Sequence, residues 1–150
     1  MNGRILSWQN RKSNMAFLKL YLISIIVFFI IDLLWLGIIA KDLYRDQIGF
    51  LMSDQVRWGP AILFYCLYLA GLTFFVILPA FQDSNWVSAL ICGGFFGLVC
   101  YGTYDLTNLA TLKGWPTKIV VYDLLWGTFI SGITSLITFW IGNNWKNYFT

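Results

Sequence analysis

Apolar residues fill four long runs of this chain, at about 16–40, 60–81, 86–112 and 119–142, and the polar residues collect between the runs. The last third of the third run is the more polar exception. Each run exceeds the roughly 20 residues that a helix needs to cross a hydrocarbon core about 30 Å thick. The pattern predicts an all-α integral membrane protein with four transmembrane helices in an antiparallel bundle. A polar lead over 1–15, cytoplasmic or disordered, precedes the bundle, and a short tail over 143–150 follows it.

The connections carry their own signals. In loop 1, residues 41–59, Tyr44, Ile48, Leu51 and Met52 fall at i, i+4, i+7 and i+8, with Asp42, Arg45, Asp46 and Gln47 between them. That spacing predicts a short amphipathic helix lying at the membrane interface. Loop 2, "QDSNW", reads as a plain turn. Loop 3, "KGWPTK", holds Gly114 and Pro116 as breakers around Trp115. Trp58, Trp86, Trp115 and Trp145 lie near helix ends, where an aromatic belt anchors the bundle, and are expected to be anchors outside any site.

Composition agrees. Of the 150 residues 59% are hydrophobic and 11% charged, against roughly 25% charged in a soluble domain. Arg4, Arg11 and Lys12 precede the first run as they would in a secretory signal. The apolar core is too long for one, however, and no small-x-small cleavage site appears before Lys41, so the run is expected to stay as a helix. The net charge of +3 is spread over ends and loops, which argues against nucleic acid as a partner. Cys66, Cys92 and Cys100 all lie within apolar runs without a C-x-x-C pair, and are expected as buried, inert thiols. The chain has no His and no Glu, which excludes His-ligated haem, zinc sites of the His type and any Ser-His or Cys-His nucleophile. Lys19, in the first turn of helix 1, can snorkel to the interface, and with no lysine deeper a retinal Schiff base is not expected. No cofactor and no metal is implied; the lipid bilayer is the partner that follows directly.

Basic residues do not choose an orientation. Arg4, Arg11, Lys12, Lys19 and Lys146 share one side, and Lys41, Arg45, Arg57, Lys113 and Lys118 the other. Translation from Met15 would leave two against five and turn the loop 1 and loop 3 side cytoplasmic.

The candidate chemistry lies inside the runs. Counting at 1.5 Å per residue, Asp32 falls about 13 Å below Lys41, Asp105 about 12 Å below Lys113 and Asp123 about 7 Å below Lys118. Helix 2 adds Tyr65 and Tyr68 at comparable depth, so every helix supplies a polar group to one layer. An aspartate near a helix centre costs on the order of 2.5–3.5 kcal/mol, so these acids are expected to face the bundle interior. Ala89, Gly93, Gly97, Tyr101 and Asp105 form an i, i+4 ridge on helix 3, and Asp123, Gly127, Ser131 and Ser135 another on helix 4. Small ridges mark close helix approach. Asn108 lies at i+3 from Asp105, Thr107 and Thr111 widen the polar side, and Tyr104 neighbours the acid. Trp35 and Trp126 each lie at i+3 from an acid, in the shared string "DLLW", and each indole N–H could donate to a carboxylate of a neighbouring helix. Because their helices run antiparallel, the two tryptophans are expected at different depths. Such a layer could be a functional cavity, or carboxylates that simply glue four helices together.

The strings "YDLTNLATLKGW", "DLLWLG", "AKDLYR", "LFYCLY" and "DLLWG" resemble a bacterial predicted-membrane-protein family, domain of unknown function 2177, over nearly all of the chain from Met15. The resemblance implies a small four-helix protein of the cell inner (plasma) membrane and implies no activity.

Three functions remain open from the residues. One is a carrier or channel component for a cation, a proton or a small solute, with four helices few enough that a homo-oligomer is allowed. Another is a membrane-embedded enzyme acting on lipids, or its accessory, using the aspartates as acid and base or to hold Mg²⁺, with Lys41, Arg45, Lys113 and Lys118 placed to meet a headgroup. The last is a structural or partner-binding subunit.

Overall fold

The computed structural model describes residues 2–53 and 55–145, with the backbone alone at 2–12 and 39. Met1, Lys146 and the other last residues of the expected tail lie outside the described residues. The described chain is helical and without strands. Helix α1, Asn2–Leu34, passes through a π-turn at Trp35–Ile39 into α2, Ala40–Ile48, which ends in a 3-10 turn at Gly49–Leu51. Helix α3, Trp58–Leu72, continues through a second π-turn, Thr73–Ile77, into α4, Leu78–Gln82; α5 is Trp86–Thr111 and α6 Thr117–Asn144. Four segments are long and apolar enough to cross a membrane: Ser13–Ile38, Trp58–Gln82, Trp86–Thr111 and Thr117–Asn144. Large apolar side chains such as Ile26, Ile30, Leu33, Ile91, Phe95 and Leu125 point outward. Only lipid accepts so much exposed apolar surface.

Several boundaries differ from the pattern. The polar lead is helical from Asn2 and belongs to α1; residues 4–13 contain neither Pro nor Gly to stop it. The second span starts at Trp58, ahead of Pro60, because proline's missing N–H costs nothing in a first turn. The amphipathic helix of loop 1 exists as α2, but its apolar side rests on the protein. Leu43, Tyr44 and Ile48 pack against Trp115, Ile119 and Val120 at the start of α6. Gly49 ends that helix, so Leu51 and Met52 leave its face and stand exposed. Cys66 and Cys92 are exposed on lipid-facing helix surfaces and Cys100 is half-buried, so the thiols are not interior; as small apolar groups they suit lipid as well as a core.

Helices α5 and α6 form the dominant pair, joined by a tight turn in which Gly114 adopts φ 78°, a conformation other residues rarely take. Helix α1 packs along α6. The second span behaves as two halves. From Tyr68 to Phe81 it is mostly buried against α1, α5 and α6, whereas residues 58–67 are exposed or half-exposed and the α3 backbone scarcely approaches α5. The bundle is closed at the loop 2 end and splayed at the loop 1 and loop 3 end.

Candidate functional site

The two small ridges pack on each other, rung by rung. A Cβ on Gly93 would lie 2.5 Å from Ser135 Oγ. One on Gly97 would collide with the Gly127 carbonyl and Ser131 Oγ, and one on Gly127 with the Tyr101 ring. Each rung advances four residues on α5 and retreats four on α6. The next is Asp105 with Asp123, whose carboxyl groups lie against each other. The seam and the tight turn therefore fix two acids eighteen residues apart in sequence at one place in space.

Their surroundings differ. Asp105 is 0% exposed, and neither carboxylate oxygen has a hydrogen-bond partner. The Trp115 indole N–H lies beside it without reaching hydrogen-bond geometry. Asp123 is also buried, and accepts a hydrogen bond from the Tyr44 hydroxyl of α2. Burial raises the Tyr44 pKa above the ordinary phenol value and the Asp123 carboxylate raises it further, so Tyr44 stays a proton donor at neutral pH.

Asp32 belongs to a second tier. Leu20 meets Gly142 and Trp35 stacks on Trp126, which sets the antiparallel register of α1 on α6. In that register Asp32 is level with Ile130, seven residues along α6 from Asp123, or about 10 Å. It accepts a hydrogen bond from the Tyr65 hydroxyl at 2.8 Å. The single layer expected from counting is therefore two tiers, because depth counted from basic residues ignores where each helix leaves the membrane.

The tryptophans stand between the tiers. Their rings stack at 4.3 Å with 9° between planes, so they share one depth. In the register of α1 on α6 the two residues stand opposite each other, so their rings meet directly. The Trp126 indole lies by Asp32 and the Trp35 indole by Tyr44, neither N–H in hydrogen-bond geometry.

The remaining candidates divide. Tyr68 shares a 2.5 Å hydrogen bond with Ser131 and lies within electrostatic reach of Asp32. Tyr101 lies within electrostatic reach of Asp32 and of the Tyr44, Tyr65 and Tyr68 hydroxyls, linking the tiers. Asn108 is half-buried and lies beside Tyr104. A cavity of about 320 Å³ opens beside the Asp105–Asp123 pair, lined by Phe64, Cys100, Tyr101, Tyr104 and Asp123.

Among known proteins, the family model described as "Predicted membrane protein (DUF2177)" matches residues 17–140. The chain belongs to that family. The matched range holds all three buried acids and every aromatic residue named around them. No match to the chain was found among the curated proteins or among the solved structures.

Two residues of the site were not expected there. Trp115, assigned to the interface as an anchor, is only 9% exposed and meets Tyr104 edge-on at 5.8 Å. Tyr44 was assigned to the apolar side of an interfacial helix, yet its hydroxyl is the donor to Asp123. A signal existed for Tyr44, since it is the polar-tipped member of an otherwise aliphatic face.

Proposed function

We propose that this protein is a carrier or channel component of the inner (plasma) membrane that moves protons or monovalent cations, and that Asp105 and Asp123 are its exchange site. The observation that carries the reading is Asp105, fully buried with both carboxylate oxygens unpartnered and held against a second acid. Two bare carboxylates side by side away from water are too costly to persist. The pair therefore holds a proton or a cation between them, and an acid without a protein partner releases it more readily than one locked in an ion pair. Ionisable groups inside a membrane are functional by default.

The test is ion flux in liposomes carrying an internal pH-sensitive dye. Wild type is expected to dissipate an imposed gradient, and Asp105→Asn and Asp123→Asn to lower the rate at least tenfold at matched protein amounts. Flux that survives in Asp105→Asn would overturn the reading. The lipid-enzyme alternative draws on the cavity beside Asp123, which opens toward lipid. A lipid species that appears or vanishes only with wild type, and not with Asp105→Asn, would replace the carrier reading with it.

A further inference from the structure

The cavity beside the acids is larger and greasier than a proton or an inorganic ion requires. Its volume of about 320 Å³ equals the liquid volume of about ten waters and falls in the range of small-molecule sites. It is lined by Phe64, Cys100, Tyr101, Tyr104 and Asp123, the last its one acid. It opens sideways. Phe64 is 53% and Tyr104 59% exposed, both are well inside their spans, and the α3 and α5 backbones between which it lies scarcely meet. A ligand would arrive from the hydrocarbon, so it must tolerate lipid while carrying a group that an acid and several aromatic faces hold.

The geometry points to a monovalent organic cation, an amine or quaternary ammonium with a compact apolar or aromatic body, as the ligand of this cavity. The charged head meets Asp123 and lies over the faces of Tyr101 and Tyr104, where ring quadrupoles attract cations. The body fills the space by Phe64 and Cys100. Asp105, buried behind Asp123, shares the proton of the pair, and that proton leaves the site when the cation docks. One proton is released for one organic cation bound, so the summed charge of the pair and its occupant is conserved. The inference rests on the reading of the acid pair as an exchange site.

The experiment is calorimetric titration of the purified full chain in detergent micelles with benzyltrimethylammonium, against neopentylbenzene, which has the same shape and no charge. Saturable binding of the cation alone is expected, weakened at least tenfold in Asp123→Asn. Phe64→Ala, which removes an exposed ring from the cavity wall, is expected to weaken it several-fold. Both variants are checked for a wild-type elution volume and helical circular dichroism. Equal affinity for the two probes, or cation binding indifferent to Asp123→Asn and Phe64→Ala alike, would overturn the inference. Liposome flux that depends on Asp105 while no cation binds would overturn it and leave the exchange site standing. Charge-dependent binding without Asp105-dependent flux would overturn the exchange reading and keep the cavity's ligand.

Discussion

Along the α5–α6 seam, glycine meets serine or a ring face at the three rungs before the acids, and a single added methyl there has nowhere to go. Across the bundle, the first half of α3 stands away from α5, and the large Tyr68 ring spans the distance to Phe96 and Tyr101. Helix association in lipid relies on packing and on polar contacts, with little hydrophobic drive between helices. The seam uses close packing and the α3 side uses aromatic reach. The seam decides where the acids are, and the gap decides what can get to them.

The sharpest way to break this contrast is to spoil one rung. Gly97→Leu is expected to destabilise by about 3 kcal/mol or more, the upper end for overpacking, and to abolish the monodisperse folded peak in size-exclusion chromatography. Gly59→Ala is the counterpart on the loose side, where a Cβ would meet nothing within 4 Å, and thermal unfolding is expected to stay unchanged or rise slightly. A next step loosens the strap over the acids. Tyr44→Phe removes the hydrogen bond to Asp123 and is expected to cost about 1.5–3 kcal/mol, the range for bonds to charged groups. Hydrogen exchange of residues 40–48 should quicken as α2 lifts from Trp115. The same strap depends on pH with a definite sign. The folded phenol has a raised pKa, so its contribution is complete below the ordinary value near 10 and falls away as pH rises above it. Faster exchange of α2 is expected only beyond that point. The smallest loss belongs to the closed end. Ser24 and Thr73 share a buried hydrogen bond of 3.2 Å, and Ser24→Ala is expected to cost about 0.6 kcal/mol, typical of interhelical bonds in membranes, read as a small fall in melting temperature.

Much of this was legible in the sequence, for reasons that separate by distance along the chain. Four apolar runs announced four spans because the bilayer imposes one length on every crossing. The ridges ending at Asp105 and Asp123 were visible because they repeat every four residues on helices joined by a short turn, so the register had little freedom. Asp32 was harder to place. Its level relative to the other acids depends on how α1 lies along α6, a contact between chain segments about a hundred residues apart, which no local spacing encodes. Trp35 and Trp126 illustrate the same limit. Their spacing from the acids could be counted, but their meeting follows from the same register of α1 on α6. Trp115 was misplaced because a tryptophan beside a turn looks the same whether its ring faces headgroups or folds back over an acid.

The π-turn at Trp35–Ile39 makes the helix behave like a mistimed clock. A π-turn carries one residue more than the same stretch of α-helix, and one residue corresponds to about 100° of rotation. Everything beyond it, Tyr44 included, is thereby turned relative to the shaft of α1. Deleting one of those five residues would let the helix run true and keep the Tyr44 hydroxyl at Asp123, whereas drawing all five into α-helical geometry would swing it away by about a quarter-turn. The site is thus set by phase as much as by the residues that form it, and the π-turn is what holds that phase.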